Sequence, residues 1–406
     1  MHQKKKWVFC DNHIQRSLVK LGYSAINAEY SISFKIINKL LIGFIFSLLK
    51  VTYYYFLQFL FVQKKELKNK KAIFLKSGNG YDYANLYRVV DFDESKVVYI
   101  NSFTMKSYMG VVKVGFLTLI DVFVRSFIVY CSVIKNNLPN NIENLVIENG
   151  LRNIAQYTYL SSFFKTVKSF NRDIHVYSGG AMLASNAAID ANLKTSYLLH
   201  GNIGRIHPIV FPSFDEVYVY SYDEKLFLES VGVRSGVDIY PFKVINSRNK
   251  LVLIFTRLND EDMDFDELRN LVIFFKSYDY VVKFKPHPQY GYYRANRNVE
   301  ECVYKWADIL NIEVIDRGAG PASSLIQSTL PSFVVAWQST ALCESLSMGV
   351  IPISLSKKSD IASDIAYPIA KRTLSWHDEK KQIINAINKQ TNYRKVLKSL
   401  NRKYDA

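Results

Sequence analysis

Two polar motifs in the C-terminal half of the chain each follow directly on an apolar run, and they constrain the fold more than any other feature. Residues 280–282 (Tyr-Val-Val) precede the motif Lys-Phe-Lys-Pro-His-Pro at 283–288, and residues 333–336 (Phe-Val-Val-Ala) precede a second motif at 337–344. Short apolar runs of this composition, bounded by proline or polar residues, are typical of strands. We therefore expect both motifs at strand ends, where an open parallel sheet binds its ligand.

The residue types within the two motifs indicate what kind of ligand this is. Pro286 and Pro288 have no backbone N–H, so the first strand must stop there and leave the His287 imidazole in a loop. Ser339 and Thr340 stand where a helix should begin. A helix N-terminus with two hydroxyl groups is suited to binding a phosphate.

Composition sets the wider limits. The chain has 406 residues, of which 49% are hydrophobic, enough for two domains with separate cores. Its net charge of +16 and pI near 9.4 predict an anionic partner, although no nucleic-acid-binding signature accompanies the charge. The four cysteines are far apart, which argues against a disulfide framework or a zinc site and favours a cytoplasmic setting.

One stretch raises the question of a membrane. The runs 40–49 and 51–62 are almost free of polar residues, are separated by Lys50 and have lysines on both flanks. We expect a helix or helical hairpin that lies on, or dips into, the cytoplasmic leaflet of a membrane with anionic lipids. The alternative is a buried core helix followed by a solvated basic loop. The N-terminal sequence does not predict a secretory signal.

The alternation of apolar strands and helices predicts an α/β protein with two Rossmann-like domains facing a cleft. The expected N-terminal domain, 1–242, contains the apolar insertion at about 35–63 and would bind a second substrate, the acceptor of a transferred group. The expected nucleotide-binding domain is 249–376, and a helical tail follows at 377–406. Between the strands of the first domain, residues 111–134 predict a long packing helix with Lys113, Asp121 and Arg125 on one face.

The first domain has its own polar residues at predicted strand ends. Glu148 follows the apolar run 145–147, and His200 follows the strand 196–199 beside Gly201. Both are candidates for a general base that accepts a proton from an acceptor hydroxyl, with Glu148 the better one. The alternatives stay open: Glu148 at a helix start favours the helix dipole, and a lone histidine is often structural.

A nucleotide-linked donor on the second domain would give these residues defined roles. A phosphate that leaves with negative charge needs preorganised donors, and His287, Lys285 and the Ser339/Thr340 helix start are of the right chemical types. Neither motif contains an Asp-x-Asp pair, so we expect protein groups rather than a metal to stabilise this charge. Glu344 is placed to accept from ribose hydroxyls, and Gln338 to reach the base or the sugar.

Three motifs together resemble a known family. Pro-His-Pro at 286–288, Gln-Ser-Thr at 338–340 leading to Glu344, and Glu-Asn-Gly-x-Arg at 148–152 resemble bacterial two-Rossmann (GT-B) glycosyltransferases that use CMP-activated acidic sugars, such as capsule-type sialyl-, polysialyl- and Kdo transferases. The resemblance implies that His287-Pro288 contacts the CMP phosphate, that Ser339-Thr340 is the family's Ser/Thr pair and that Glu148 is the base. Asn149 departs from the pattern, since a second acid is common there.

The resemblance implies a metal-independent transfer of sialic acid, Kdo or a similar acid from a CMP-sugar co-substrate to a cell-surface glycan, with no further cofactor. Its partners would be a glycan or lipid-linked glycan and an anionic membrane surface, but no nucleic acid, and its location the cytoplasmic face of the inner membrane. His200-Gly201 is also similar to teichoic-acid CDP-glycerol transferases, so one alternative is a polyol phosphotransferase with His200 as base. Another is a non-catalytic basic protein that binds membranes or nucleic acid.

Overall fold

A computed structural model gives the architecture of the chain. It describes residues 34–61, 67–76, 81–91, 93–102, 104–121, 123–124, 127, 152–179, 183–199, 214–230, 236–256, 264–287, 297–316, 318–337, 339–356 and 372–402. Two compact units are present. Described residues up to Asp238 mostly form unit 1, and those from Ile239 onward form unit 2 together with Tyr220–Phe227. The sequence-based domain boundaries at 242, 249 and 376 stay a prediction.

Unit 1 contains a parallel sheet with helices. Its elements are α1 (Phe34–Leu57), β1 (Ala72–Lys76), α2 (Tyr81–Val89), β2 (Val97–Asn101), α3 (Met105–Met109), α4 (Arg152–Phe170), β3 (His175–Ser178), α5 (Leu183–Asp190), β4 (Lys194–Leu198), β5 (Glu216–Val219) and β6 (Gly236–Ile239). The helix between β5 and β6, α6 (Tyr222–Ser230), is divided, with the part up to Phe227 in unit 2 and the part from Leu228 in unit 1. The strand order is β2-β1-β3-β4-β5-β6. One face of β1–β3 packs with α3, α4 and α5 into a common hydrophobic core.

The sequence predicted most of these strands. Other predicted elements lie outside the described residues, and one is partly wrong. The predicted strand–helix–strand over 6–28 and the strand 145–147 lie outside the described residues. The long helix expected from Val111 is wrong at its start, because residues 111–116 are not helical and helical residues begin at Leu117. Lys113 therefore does not share a helix face with Asp121. Since Val111, Val112 and Val114 are buried, this non-helical stretch belongs to the core.

The apolar stretch expected near the membrane is a single helix, α1, and not a hairpin. Part of it is core: Val51 is 1% exposed, and the Tyr54 ring packs edge-on to Tyr159 of α4 at 6.0 Å between ring centres. The alternative of a buried core helix thus holds for one face only, because Leu49 and Phe56 are 65% and 62% exposed. Among the helices that the structure describes, none combines the length and apolar character needed to cross a bilayer.

A buried glutamine joins the end of α1 to the 111–116 stretch. The Gln58 side-chain amide donates to the Val114 carbonyl at 3.0 Å, and its carbonyl oxygen accepts from the Val114 N–H at 2.8 Å. The same oxygen accepts from the Tyr159 hydroxyl at 3.2 Å. Gln58 is fully buried, so these bonds satisfy polar groups that water does not reach. They fix α1 relative to the rest of unit 1.

Unit 2 contains a second sheet of six strands. Its elements are β7 (Asn249–Phe255), α7 (Phe265–Lys276), β8 (Val281–Lys285), α8 (Arg297–Leu310), β9 (Glu313–Val314), α9 (Ala322–Thr329), β10 (Pro331–Ala336), α10 (Thr340–Ser347), β11 (Ile351–Ser354), β12 (Leu374–Ser375), α11 (Lys380–Asn388) and α12 (Gln390–Arg402). The strand order is β12-β11-β10-β7-β8-β9, and every neighbouring pair is parallel. This is the doubly wound Rossmann order, with its topological switch point between β7 and β10. The α/β class with two Rossmann-like units is confirmed.

The strands and helices of unit 2 follow from the sequence pattern. β7 and β10 carry continuous buried apolar runs, as central parallel strands do. Asp264 caps α7 by accepting from the Asp266 and Glu267 N–H groups, as an N-cap aspartate does. The C-terminal tail forms α11 and α12, whose apolar residues are part of the core of unit 2. Tyr393 of α12 donates to the Ser332 carbonyl at 2.7 Å.

Replacing Gln58 with leucine should destabilise the protein. The change leaves the Val114 N–H and carbonyl buried without their amide partner, and an unsatisfied buried group costs about 1–3 kcal/mol. Urea unfolding followed by circular dichroism would measure the loss. Gln382→Leu is the matched control, because that side chain is only part-buried in α11 and its change should stay within about 0.5 kcal/mol. Equal effects of both variants would contradict the role given to Gln58.

Candidate functional site

The carboxyl edge of the unit 2 sheet brings the two sequence motifs to one place. Lys285 of β8 and Ala336 of β10 both lie opposite Phe255 of β7 in the sheet register. All three strands therefore end at the same level. Because neighbouring strands are about 4.8 Å apart, the ends of β8 and β10 lie about 10 Å from each other. This is the switch-point crevice in which open α/β sheets bind ligands.

His287 follows β8 at this edge, as the sequence predicted. Its backbone N–H donates to the Thr256 hydroxyl at 3.2 Å, which holds the loop after β8 against the end of β7. Burial, together with the smaller effect of the nearby Lys285 charge, lowers the pKa of the imidazole to about 4. The imidazole is therefore neutral at pH 7, and a neutral ring carries one N–H that can donate to an anion.

Lys285 is the last residue of β8 and is 3% exposed. Its ammonium group donates to the Asp316 carbonyl at 3.1 Å. Burial lowers its pKa to about 8, and the Asp316 carboxylate partly opposes the shift. A buried lysine of this kind is still mostly charged at pH 7. It thus supplies a positive charge in a poorly solvated position, where its attraction for an anion is strongest.

The second motif places a helix N-terminus at the same edge. Ser339 is the N-cap of α10, and its hydroxyl accepts from the Ala341 N–H at 3.3 Å. Thr340 is the first helical residue, and both side chains are half-buried. The predicted stop at Gly349 is confirmed: its φ of +79° is a conformation that glycine adopts readily. The positive end of the α10 dipole and the two hydroxyls suit an anionic group.

Glu344 lies one turn into α10. It follows Thr340 by four positions, so the two are on one face of the helix. The residue is only 5% exposed. Its role as an acceptor of hydrogen bonds from ribose hydroxyls stays a prediction.

Two features of this edge escaped the sequence reasoning. Thr256, the first polar residue after β7, lies between the two motifs, and its N–H donates to the Lys285 carbonyl at 3.2 Å. The position of Thr256 directly after an apolar strand is the sequence feature that could have identified it as a site residue. An acidic series also follows β7, from Asp260 to Asp266. Its last members cap and begin α7, while residues 257–263 lie outside the described part of the chain.

Four of the predicted site residues lie outside the described residues: Pro288, Gln338, Glu148 and His200. For His200 the preceding strand is described. β4 ends at Leu198, and Leu199 is bound on both sides, by its N–H to the Tyr218 carbonyl and by its carbonyl to the Asn85 side chain. The expected position of His200 itself stays a prediction. Among the described residues there is no group of three or more His, Cys, Asp or Glu side chains that could hold a metal ion.

Comparisons with known proteins give likenesses of structure only. No protein-family model matches the chain, and no curated protein matches it. The chain is similar to the wall teichoic acid polymerase TagF, with 10% identity, a TM-score of 0.46 and coverage of 92% of this chain and 93% of that one. It is also similar to a UGT transferase from Siraitia grosvenorii in complex with UDP, with 9% identity, a TM-score of 0.40 and coverage of 82% and 94%.

A third similar structure is a UDP-forming α,α-trehalose-phosphate synthase from Burkholderia xenovorans. Its identity is 10%, its TM-score is 0.39, and the match covers 82% of this chain and 91% of that one. TM-scores below 0.5 at about 10% identity assign neither a family nor a substrate to this chain.

The lowered pKa of His287 makes a prediction about stability. In the unfolded chain a histidine titrates near pH 6.5, whereas folded His287 has a pKa of about 4. As the pH falls from 6.5 to 4, the histidine is protonated in the unfolded state but stays neutral in the folded state. The free energy of unfolding therefore decreases by up to about 3 kcal/mol. Urea unfolding at several pH values should show a smaller decrease in this window for His287→Gln than for the wild type. Identical pH profiles would contradict the shift.

Proposed function

We propose that the chain is a GT-B-type glycosyltransferase that moves an acidic sugar, such as sialic acid or Kdo, from a CMP-sugar to a cell-surface glycan of a capsule or lipopolysaccharide without a metal ion. One observation carries the proposal. His287, buried Lys285 and the Ser339-capped start of α10 lie at one carboxyl edge, beside the switch point of the unit 2 sheet. Together they provide a hydrogen-bond donor, a charge and a helix dipole for one phosphate.

The proposed chemistry is stabilisation of a leaving group. When the bond between the sugar's anomeric carbon and the phosphate oxygen breaks, the bonding electrons stay on the CMP phosphate. The His287 N–H and the Lys285 ammonium group are donors that do not have to reorganise as this charge develops. Their burial strengthens the effect, because charges interact more strongly where water is excluded.

The lowered pKa values are consistent with an anion at this edge. A bound phosphate would favour the protonated forms of His287 and Lys285 and raise both pKa values. His287 is then poised either to donate a hydrogen bond as a neutral ring or to become protonated when the phosphate dianion forms. Glu344 is proposed to accept from the ribose, and Gln338 to contact the base or the sugar.

The acceptor side of the proposal rests on unit 1. Glu148 is proposed as the base that takes the proton from the acceptor hydroxyl, which then attacks the anomeric carbon. His200 is the second candidate. The acceptor is a glycan or lipid-linked glycan, so an anionic membrane surface on the cytoplasmic side is part of the proposal, and the strongly basic composition favours it.

One observation favours a second candidate reaction. β4 ends at Leu198, and His200 comes two residues later in the sequence. If His200 rather than Glu148 is the base, the enzyme transfers a polyol phosphate from a CDP-polyol. The acceptor oxygen then attacks the β-phosphorus, and CMP leaves with the electrons of the broken P–O bond.

Calorimetry with CMP tests the phosphate role directly. His287→Ala should weaken CMP binding by about 10- to 100-fold, because a hydrogen bond to a charged group is worth about 1.5–3 kcal/mol. The measured enthalpy should also depend on the ionisation enthalpy of the buffer, since binding takes up protons. His175→Ala in unit 1 is the control and should leave CMP affinity unchanged.

Unchanged CMP affinity in His287→Ala would contradict the phosphate role. No nucleotide affinity at all, combined with steeply salt-dependent DNA binding, would instead support a non-catalytic basic protein.

Product analysis separates the two reactions. The enzyme is incubated with a glycan acceptor and either CMP-sialic acid, CMP-Kdo or CDP-glycerol, in EDTA and in Mg²⁺. We expect the mass of the acceptor to increase when a CMP-sugar is supplied in EDTA. The Glu148→Gln variant should abolish this increase, and the His200→Gln variant should retain it. Transfer only from CDP-glycerol, with the opposite response of the two variants, would identify the polyol reaction. Transfer that stops in EDTA and returns with Mg²⁺ would contradict metal independence.

A further inference from the structure

The helix α1 has two apolar faces, and only one of them is covered by unit 1. Val51 is buried, and Tyr54, Tyr55 and Leu57 pack against the core beside α4. The opposite face is apolar too, although it is exposed. Its exposed residues are Ile45 (49%), Phe46 (54%), Leu49 (65%), Tyr53 (58%) and Phe56 (62%), continued by Phe59 (54%) and Leu60 (78%) just beyond the helix. Their spacing of three to four residues makes a continuous stripe.

A second exposed apolar stripe lies in the segment that the sequence predicted to be a packing helix. Its members are Phe116 (62% exposed), Leu117 (75%), Ile120 (51%), Phe123 (52%), Val124 (46%) and Phe127 (54%). They recur at helical spacing, so they share one side of the segment. A packing helix would direct such residues into the core, whereas here they are at the surface.

The two stripes are joined into one surface, which we call the apolar face. The Tyr55 ring contacts Phe116 edge-on at 6.1 Å between ring centres, and the Lys113 ammonium group lies 5.4 Å from the centre of the Phe59 ring. The paired hydrogen bonds between Gln58 and Val114 hold the two segments together from beneath. Contiguous exposed apolar surface of this kind marks an interaction site, unlike single exposed apolar residues.

Charge identifies the partner. The sequence has no Asp or Glu from residue 30 to 65, and Asp121 is the only acidic residue from 96 to 127, whereas lysines occur in both stretches. The ammonium groups of Lys50 and Lys113 lie 5.8 and 5.4 Å from the centres of the Tyr54 and Phe59 rings, so positive charge is present beside these aromatic side chains. Phenylalanine, leucine and tyrosine bordered by lysine are typical of helices that lie in the interface of an anionic bilayer. Lysine is depleted at protein–protein interfaces, which makes a protein partner the weaker fit.

We infer that the apolar face docks onto the surface of an anionic phospholipid bilayer, with α1 and the 116–127 segment lying in the interfacial region. The aromatic and aliphatic side chains enter the boundary between headgroups and acyl chains, while Lys50 and Lys113 contact anionic headgroups. This inference deepens the membrane association in the proposed function, on which it rests, by naming the surface of unit 1 that carries it. Its test requires neither a nucleotide nor catalysis.

Vesicle sedimentation without nucleotide tests the inference. The full chain should bind vesicles of phosphatidylglycerol and phosphatidylcholine in equal parts more tightly than vesicles of phosphatidylcholine alone. The double variant Leu60→Ser/Leu117→Ser should bind at least about tenfold more weakly, because it removes the two most exposed apolar side chains of the face. The double variant Ile273→Ser/Ile309→Ser, on exposed positions of unit 2, is the matched control and should bind like the wild type.

A second pair of variants tests the electrostatic part. Lys50→Gln/Lys113→Gln should reduce the preference for anionic vesicles by about 30-fold at low salt, and Lys395→Gln/Lys398→Gln, on exposed positions of α12, should leave it unchanged. Raising the salt to 1 M should reduce the preference of the wild type in the same way.

Equal vesicle binding by the wild type and the Leu60/Leu117 variant would overturn the inference. A second outcome would also overturn it: the wild type is a dimer, the Leu60/Leu117 variant is a monomer, and neither binds vesicles. The apolar face would then be covered by a second copy of the chain. Failure of vesicle binding with intact CMP binding would leave the proposed transferase standing, so the two proposals fail separately.

Discussion

The register of three parallel strands is the constraint on which the candidate site depends. β8 and β10 both pair with β7, and Lys285 and Ala336 face the same residue, Phe255. Motifs separated by about fifty residues in the sequence therefore end at one level, about 10 Å apart. A slip of one residue in either pairing would turn the side chains of that strand to the opposite face of the sheet and separate the motifs.

Burial gives the residues at this edge their chemical character. An exposed histidine is partly protonated near neutral pH, whereas the lowered pKa of His287 keeps its imidazole neutral. The pKa of Lys285 is lowered to about 8, so its ammonium group is closer to losing its proton at neutral pH than that of an exposed lysine. Neither shift is favourable for the empty protein, since both oppose ionisation of groups that water would stabilise. An incoming anion would oppose both shifts, because it stabilises the protonated forms of both groups.

Unit 1 depends on a different balance. α1 has apolar side chains on two opposite faces, and a helix that is apolar all round is normally buried or in a membrane. In this protein one side packs on α4 while the other is exposed, and the bonds from Gln58 to Val114 lock that orientation. The sequence indicated the apolar character of α1 but not which residues the core would cover. It also gave no indication that Phe116 and Phe123 point outward, because helical periodicity is the same whether a stripe faces core or solvent.

The sequence by itself determined the α/β class, most strand positions, the stop at Pro286, the cap at Ser339 and the turn at Gly349, since these depend on local backbone chemistry and on a few neighbouring residues. Only the tertiary structure decided the strand order, the inclusion of Thr256 beside His287, the non-helical path of residues 111–116 and the exposure of the apolar face. These features arise from contacts between residues far apart in the chain. A pattern read along one segment does not specify which distant segment will cover it.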